Sequence, residues 1–342
     1  MSLEKNGLGY EELSRLMRER GLKALEGFEQ MVSEGVEGTE IESIMGYIKG
    51  WRDTYRTALT SFSCEAVGGD PGKASSAGLM IAFVGAGLAI HDDIIDRSEV
   101  KRFRRTFFGL HSSDEALVVG DLLIFKAIAP MRKIFRETPP QMADEIIKTF
   151  EQFLYDICEG EMIEISCRKN VGTDLEYYHR ALRKLGCDVE ACTRIGALVG
   201  GGTAEEVEAL GEYGRHMGYV VRLADDVKDA LNLEGNLPHR LRFESVPLPI
   251  LYAAKASEEN FSTIDAILNG PEMSLSDIEK ILKLCFDAGA FAHVQEVVEK
   301  NILEGAQRLR VLGSSGARDV LTSLISWTFD AQVGNHLAAG PT

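Results

Sequence analysis

Two groups of three aspartates, each spaced Asp-Asp-x-x-Asp, are the residues of this sequence best suited to chemistry. The first triad is Asp92, Asp93 and Asp96, and the second triad is Asp225, Asp226 and Asp229. Residues four apart lie on one face of a helix, so each triad directs carboxylates to one side. Carboxylate oxygens without a neighbouring His/Cys set favour Mg²⁺, which takes one or two carboxylates together with substrate phosphates.

The sequence before each triad bears on whether its carboxylates are buried. A single Asp-Asp-x-x-Asp group is also typical of a solvated acidic helix end. The first triad, however, follows a segment from Ala74 to Ile90 that carries no formal charge, and the second follows a largely apolar run. A buried carboxylate without a partner is costly, so such groups are neutralised, paired or bound to a metal. The repeat predicts two helices that face each other across a bundle and hold a small cluster of divalent ions.

Basic residues follow the first triad, and a lysine lies in the sequence between the two triads. Lys101, Arg102, Arg104 and Arg105 come shortly after Asp96, and Lys184 follows Arg180 and Arg183. A polyanion such as diphosphate is bound by metal and guanidinium partners together. An ordinary solvated basic turn is the other interpretation of the first cluster, and the two triads favour the diphosphate interpretation.

The composition limits the classes of partner. The chain has 342 residues with 37 basic and 53 acidic side chains, a net charge of −16. Such a charge argues against a general nucleic-acid surface or anionic-membrane surface, so any phosphate chemistry has to be locally cationic. The six cysteines form no CxxC pair and no zinc spacing, and they are typical of reduced core thiols in a cytosolic protein. They are Cys64, Cys158, Cys167, Cys187, Cys192 and Cys285.

The sequence predicts neither a signal peptide nor a transmembrane segment. The amino terminus lacks a basic region followed by an apolar one. The segment from Ala74 to Ile90 reaches only the lower limit for a membrane span, and it contains Ser75, Ser76 and several glycines before ending in acid. A central helix of a soluble, cytoplasmic helical bundle fits this segment better.

The elements that would position the triads are predicted to be helices throughout. Apolar residues recur at helical spacing, and no segment shows sustained alternation of apolar and polar residues with β-branched enrichment. We therefore expect one all-α domain over residues 1–342, with a loop at 232–242 that is a candidate flexible cover. The predicted helices cover 10–35, 40–67, 74–96, 115–135, 141–165, 175–199, 204–229 and several segments after 247. Asp156, Glu159, Glu161 and Glu164 are expected to form a hydrated face.

The triads, the basic cluster and Lys184 together resemble the polyprenyl synthetase family of trans-isoprenyl diphosphate synthases. The resemblance covers roughly Arg52 to Pro249, with weaker agreement in the carboxy-terminal helices. It implies an all-α bundle of the isoprenoid synthase type around a deep central apolar cavity, and a homodimer. It also implies a Mg²⁺-dependent reaction that joins an allylic diphosphate to isopentenyl diphosphate.

The resemblance also assigns roles on the diphosphate side. Both triads match the family's two aspartate-rich motifs, which would hold Mg²⁺ on the allylic diphosphate. Lys101 and Arg102 stand where the family has its Arg-Arg pair, and Lys184 matches the family's lysine on the intermediate helix. The segment from Glu115 to Leu123 is similar to the family's next helix.

The departures from the family pattern fall on the acceptor side. The family's Gly-Lys-x-x-Arg segment falls on 52–56, where Asp53 replaces the lysine and only Arg56 matches. A histidine usual on the helix that leads into the first triad falls on Gly85, and the family's Phe-Gln before the second triad falls on Val221-Arg222. In the family these positions bind isopentenyl diphosphate or face the reacting carbons, and Arg56, Arg102 and Arg222 are the candidates to compensate here.

The residues just before the first triad predict the product length. In the family, a large side chain one turn before the carboxylates forms the floor for the growing tail, and Gly87 and Leu88 stand there in this chain. Gly87 would leave the tail unobstructed, which predicts a product of C20 or longer, while Phe83 could close the cavity deeper down. Close helix packing is the other interpretation of Gly87.

Three functions are consistent with this sequence. The first is a prenyltransferase that elongates an allylic diphosphate with isopentenyl diphosphate. The second keeps the ionisation step and changes the acceptor, as in a terpene-synthase-like cyclase or a transferase to another molecule. The third is a non-catalytic subunit of a heteromeric synthase, and the two intact triads argue against it.

Overall fold

The computed structural model describes residues 8–50, 53–101, 103–334 and 337. Two residues of the sequence predictions, Arg52 and Arg102, lie outside this part of the chain. The described residues form the helices α1 Tyr10–Ala24, α2 Phe28–Ser33, α3 Ile41–Lys49, α4 Thr54–Ala66, α5 Ser75–Ile95, α6 Phe107–Leu110, α7 Ser113–Lys126, α8 Ile128–Glu137, α9 Pro140–Ser166, α10 Leu175–Leu185, α11 Cys187–Gly200, α12 Ala204–Ala230, α13 Leu237–Phe243, α14 Leu248–Lys255, α15 Glu258–Leu268, α16 Leu275–Asp287, α17 Ala290–Arg308 and α18 Gly316–Phe329. Short 3₁₀ turns cover Pro71–Ala74 and Leu309–Val311, and a π-helical turn covers Asp330–Gly334.

The all-α prediction is confirmed, with one small hairpin as an addition. The strands β1 Val100–Lys101 and β2 Arg104–Arg105 pair antiparallel, Val100 opposite Arg105 and Lys101 opposite Arg104. The hairpin lies in the basic segment after the first triad, which the sequence analysis interpreted as a cation cluster for diphosphate or as an ordinary solvated basic turn.

Several long predicted helices are interrupted for identifiable reasons. The helix predicted over 10–35 breaks where Gly27 adopts a φ of +89°. The helix predicted over 115–135 is two helices, because Pro130 lacks the N–H that a continuous helix would bond to Lys126. The helix predicted over 175–199 breaks at Gly186, where a Cβ would lie 2.5 Å from the carbonyl carbon of Gly218.

The chain divides into two compact units. Unit 1 comprises Met1–Gln152, Val189–Gly214 and Arg308–Ser323, and unit 2 comprises Phe153–Asp188, Arg215–Gln307 and Leu324–Thr342. The first triad belongs to unit 1, and Lys184 and the second triad belong to unit 2. The single domain over residues 1–342 stays a prediction.

Helix α5 is the centre of unit 1. It packs against α1, α4, α7 and α8, and its side chains from Ser76 to Val84 are all buried. Because its sequence is apolar all round, it has no polar face to turn to solvent. Residues Pro71–Ile95 are long and apolar enough to cross a membrane by length and composition alone, but 72% of the 18-residue window that meets this criterion is buried within the protein. The helix therefore acts as a core element whose carboxyl end delivers the first triad.

Unit 2 has its own apolar core, built around α10, α14 and the second half of α12. Tyr178, Leu182, Val220, Leu223 and Leu251 are buried in this core. Gly186 and Gly218 let two backbones approach closely, since a Cβ at Gly218 would lie 2.0 Å from the Gly186 carbonyl oxygen. This packing fixes α12, whose carboxyl end carries the second triad.

Candidate active site

The first triad surrounds the amino group of Lys101. The Lys101 Nζ atom lies 2.7 Å from Asp92 Oδ2, 3.1 Å from Asp93 Oδ1 and 3.7 Å from Asp96 Oδ2. The Asp92 side chain is 43% exposed, whereas those of Asp93 and Asp96 are each 13% exposed. The hairpin thus supplies a cation to the triad, and Asp92 is its most accessible carboxylate.

Burial and charge act against each other in the first triad. Burial raises the pKa of Asp93 to about 6, although the neighbouring Lys101 opposes the rise. Burial by itself would lower the pKa of Lys101, but Asp92, Asp93 and Asp96 outweigh it and raise that pKa above its ordinary value. Lys101 therefore remains a cation among the three carboxylates.

The second triad is organised around Arg240. Asp226 Oδ1 accepts hydrogen bonds from Arg240 Nη2 at 3.0 Å and from the Tyr178 hydroxyl at 3.3 Å. Asp226 Oδ2 accepts the Leu248 N–H at 2.8 Å, so both oxygens of this buried carboxylate are engaged. Arg240 Nη1 also donates to Asp229 Oδ2 at 3.0 Å.

Asp225 has a different environment from the other two carboxylates of its triad. Its oxygens lie 3.6 Å from Lys228 Nζ and 3.8 Å from Arg222 Nη1, and its side chain is half-buried. Asp225 is therefore the second triad's most accessible carboxylate, as Asp92 is in the first triad. Each triad retains at least one oxygen donor of the type that Mg²⁺ prefers.

Arg240 also pairs with carboxylates from outside the triad. Its guanidinium lies 3.3 Å from both Glu164 and Glu244 and donates to the Ser245 hydroxyl at 3.3 Å. Burial raises the pKa of Asp226 to about 7, against the opposing charge of Arg240. The carboxylates and Tyr178 around Arg240 raise its pKa above the ordinary value despite its burial.

The pairing of Arg240 with the second triad was not predicted, because 232–242 was expected to be a flexible cover. That prediction is wrong for 237–242, which belong to α13, where Pro238 lies in the first turn and Leu237 and Leu241 are buried. The available signals were proline at a helix start, leucines four residues apart, and an Arg240–Glu244 pair at helical spacing.

Lys184 pairs with acids of α9 within unit 2. Its Nζ atom contacts Asp156 and lies 3.1 Å from Glu159, which also pairs with Arg180. The hydrogen bond to Asp156 raises the pKa of Lys184. The expectation of a hydrated acidic face is therefore wrong for Asp156 and Glu164, whose side chains are each 19% exposed and paired with cations, whereas Glu159 is 40% exposed.

Three positions of the proposed acceptor side lie together in unit 1. Arg56 Nη1 lies 2.6 Å from Asp53 Oδ2, and Asp53 also caps α4 by accepting the Arg56 N–H. A Cβ built on Gly85 would lie 3.8 Å from Arg56 Cδ and 3.9 Å from Asp53 Oδ2. Asp53 thus supplies a carboxylate to Arg56 where the family pattern would supply a second cation. Arg222 belongs to unit 2, where its Nε donates to the Leu185 carbonyl at 3.1 Å.

Gly87 corrects the prediction of an open tail path. A Cβ at Gly87 would lie 2.5 Å from the Gly120 carbonyl oxygen and 2.7 Å from Ile124 Cγ1 of α7. This position therefore allows α5 and α7 to pack closely, which is the other interpretation that the sequence left open. Leu88 is only partly buried. Phe83 is fully buried and stacks on Phe28 with ring centroids 4.6 Å apart.

Comparison with known proteins identifies the family of this chain. The family model described as polyprenyl synthetase matches residues 41–285. The short chain isoprenyl diphosphate synthase of Methanothermobacter thermautotrophicus is 26% identical over 94% of this chain and 99% of its own length. The geranylgeranyl pyrophosphate synthase of Geoglobus acetivorans is 25% identical over 93% of this chain and 99% of its own.

A solved structure shows the same fold. The geranylgeranyl pyrophosphate synthetase from Pyrococcus horikoshii has a TM-score of 0.83 at 24% identity and covers 94% of this chain and 99% of its own. Because the family model matches well over half of the chain, the chain belongs to the polyprenyl synthetase family. Its all-α isoprenoid synthase fold is confirmed, and it is a prenyltransferase of isoprenoid synthesis.

Proposed function

We propose that this protein uses both triads to bind Mg²⁺ with an allylic diphosphate and transfers the prenyl group to isopentenyl diphosphate. The observation that carries the proposal is the presence of two carboxylate triads, each with an accessible member, in a chain of this family. The carboxylate oxygens fit a hard divalent cation. When bound, Mg²⁺ would stabilise the negative charge that develops on the departing diphosphate.

The chain's own residues would bind the diphosphate and stabilise the same charge. Asp92 and Asp225 are the first candidates for metal ligands, with Asp93, Asp96, Asp226 and Asp229 completing the triads. The candidates to donate hydrogen bonds to the diphosphate oxygens are Lys101, Arg102 and Lys184. These hydrogen bonds would strengthen as the C–O bond breaks. Apolar side chains would keep water from the allylic cation. No side-chain nucleophile is required.

The Asp53–Arg56 pair favours a second candidate function, in which the acceptor differs from isopentenyl diphosphate. Arg56 already has a carboxylate partner at 2.6 Å. It therefore attracts an anionic acceptor less strongly than the lysine and arginine of the family pattern would together. A transferase to another acceptor, or a cyclase that uses none, would keep the triads and lose this cationic site. Arg102 and Arg222 remain candidates to compensate for it.

A product of C20 or longer remains our proposal, on changed grounds. Gly87 no longer supports it, but unit 1 has a small apolar pocket between α5, α8 and the start of α9, whose lining includes Met80 and Phe150. Met80 lies on α5 about three helical turns before Asp92. The pocket itself has room for about one water molecule, so the proposed length rests on the name of the relative from Geoglobus acetivorans, a geranylgeranyl (C20) pyrophosphate synthase.

We further propose that the protein is a cytoplasmic homodimer. Helix α7 buries Ala116, Val119 and Leu123 but also exposes Leu117, Val118 and Phe125. A helix with apolar side chains on both faces is suited to a protein partner, and a second copy is the partner that the family resemblance implies.

One experiment separates the two candidate functions. The purified protein is incubated with Mg²⁺ and each of the C5, C10, C15 and C20 allylic diphosphates, with and without isopentenyl diphosphate, and the products are identified by mass. Elongation predicts products longer by multiples of C5 that need isopentenyl diphosphate. Diphosphate release without such a product would support the cyclase or other-acceptor function, and no release from any substrate would contradict both.

A further inference from the structure

The hairpin after the first triad carries a concentration of positive charge that contrasts with the rest of the chain. Residues 97–105 contain Arg97, Lys101, Arg102, Arg104 and Arg105 against one acid, Glu99, in a protein of net charge −16. Lys101 turns into the triad, whereas the described residues Arg97, Arg104 and Arg105 are exposed. The outer side of the hairpin is therefore a local cationic surface.

An aromatic side chain stands at the tip of this hairpin. Phe103 is 84% exposed, more than any other large apolar side chain in the described part of the chain. It lies directly before β2 in the hairpin and has a φ of +60°. Such hairpin turns favour a positive φ and normally use Asn or Gly there, since L side chains with a Cβ rarely adopt it. A phenylalanine in this conformation indicates a use for the ring outside the folded core.

The partner has to offer negative charge and an apolar layer beside it. An anionic lipid surface does so, because headgroups attract arginine while a ring enters the headgroup and acyl boundary. Arginine stems can lie along apolar surface while their guanidinium groups remain with the headgroups. The net charge of the whole chain does not prevent this contact, because repulsion is screened beyond about 8 Å at physiological ionic strength.

We propose that the Arg97–Arg105 hairpin is a membrane-docking tip that inserts the Phe103 ring into the interface of an anionic bilayer while Arg104 and Arg105 contact the headgroups. Lys101, on β1 of the same hairpin, contacts the first triad at 2.7 Å. Docking would therefore bring the candidate active site next to a lipid surface. The inference concerns binding alone, so it stands or falls independently of the proposed transferase reaction.

The test uses the full chain and two kinds of vesicle. One is phosphatidylcholine alone, and the other contains about one-third phosphatidylglycerol; binding is measured by flotation at about 0.15 M salt and again at higher salt. The wild type should float with the anionic vesicles only, and less at higher salt. Phe103→Gly should bind at least about fivefold more weakly, as should Arg104→Glu.

Folding defects are separated from binding defects by the sign of the stability change. Phe103→Gly should keep or raise the melting temperature, because glycine adopts the positive φ without steric cost. Phe103→Trp should keep binding, and its added fluorescence should shift to the blue on anionic vesicles. The control Tyr155→Ser removes another exposed aromatic ring, one with acidic neighbours, and should leave flotation unchanged.

Two results would overturn the proposal. The first is wild-type protein that does not float with anionic vesicles, or a Phe103→Gly protein that floats as well as the wild type. The second is a Phe103→Gly protein whose sedimentation shows loss of a dimer, since the ring would then serve a second copy of the chain rather than a lipid surface.

Discussion

At the scale of single residues, each triad holds a cation supplied by the chain itself. Lys101 lies among the carboxylates of the first triad, and Arg240 bridges Asp226 and Asp229 of the second. A buried carboxylate is stable only with such a partner. The partners also set the roles of the carboxylates, because an oxygen engaged by the protein is less available to a metal.

The first prediction concerns the accessible carboxylates. Asp92→Ala and Asp225→Ala should each lower turnover by an amount corresponding to about 3 kcal/mol or more, as the loss of one preorganised electrostatic partner does. Steady-state rates at saturating Mg²⁺ provide the measurement. Asp144→Ala, which breaks an exposed ion pair with Lys148, is the matched control and should change little. Unchanged rates in either triad variant would remove that triad from the catalytic site.

The second prediction concerns the buried guanidinium. Arg240→Gln leaves Asp226, Asp229 and Glu164 without their cation, so we expect the free energy of unfolding to fall by about 3 to 5 kcal/mol. Mg²⁺ should restore part of this loss, because a divalent ion supplies positive charge to the same carboxylates. Urea denaturation with and without Mg²⁺ is the measurement.

Arg242→Gln is the control for that variant, since Arg242 lies on the same helix and is exposed. Its unfolding free energy should stay within about 0.5 kcal/mol of the wild type. If Arg240→Gln were as stable as Arg242→Gln, the guanidinium would not be the charge partner of the second triad.

The triads could be predicted from the sequence, whereas their cations could not be fully assigned. Asp-Asp-x-x-Asp spacing is a local pattern, and its position after an apolar run is visible in the sequence. The Arg240–Glu164 contact joins residues far apart in sequence, so no local periodicity reveals it. Gly87 shows the same limit, because a glycine for close packing and a glycine for an open cavity look alike until the neighbouring helix is placed.

At the scale of elements, the close approach of α5 and α7 positions the first triad. The contact depends on Gly87, where a Cβ would meet the Gly120 carbonyl oxygen at 2.5 Å. Helix limits follow from equally local causes that sequence reasoning passed over, such as Pro130 at the start of α8 and Gly186 beside Gly218. The type of each long element was predictable, and its interruptions depended on single residues.

The third prediction tests this helix contact. Gly87→Ala should lower the free energy of unfolding by about 1 to 3 kcal/mol, because the added methyl group overpacks a rigid backbone contact. Gly78→Ala is the matched control on the same helix, since its Cβ would meet Thr57 at an ordinary 3.5 Å. The control should be neutral or slightly stabilising, as alanine favours helix over glycine. Equal stability of the two variants would contradict the close packing at Gly87.

The fourth prediction concerns a buried histidine between two tyrosines in unit 2. The His179 Nε2 atom lies 2.9 Å from the Tyr252 hydroxyl, and Nδ1 contacts the Tyr219 hydroxyl. Burial lowers the pKa of His179 below its ordinary 6.5, and Arg183 adds to this shift. Below pH 6.5 the unfolded chain therefore binds a proton at this histidine that the folded chain does not, so the contribution of His179 to stability should fall as the pH falls.

His179→Gln should remove this contribution, which is at most about 1.4 kcal/mol per pH unit for one proton. The variant should be less stable at neutral pH because it loses the hydrogen bonds to the two tyrosines. Urea denaturation from pH 5 to pH 8 provides the comparison. His111→Gln, in the other unit, should keep the pH dependence of the wild type. If the unfolding free energy of His179→Gln depended on pH as that of the wild type does, His179 would not be the source of the pH dependence.

At the scale of the whole molecule, a strongly negative chain carries both apolar and cationic surfaces. Its net charge of −16 opposes general contact with anions and with copies of itself. The cationic hairpin and the outer face of α7 are therefore local exceptions. On α7, Asp114 and Glu115 are confined to the first turn, and the acid among the exposed apolar side chains is Asp121, whose Oδ1 lies 3.5 Å from His91 Nε2. Little charge repulsion would oppose a second copy on this face.

The final prediction is that the outer face of α7 forms a homodimer. Phe125→Glu should give a monomer, because a carboxylate in a closed apolar contact would be buried without a partner. The mass in solution, measured by light scattering at micromolar concentration, is the readout. Leu275→Glu changes a side chain that is more exposed than Phe125 but lies on α16, and it should leave the mass unchanged. A monomeric wild type would contradict the homodimer. A Phe125→Glu protein that remains a dimer would show that the dimer contact lies outside this face of α7.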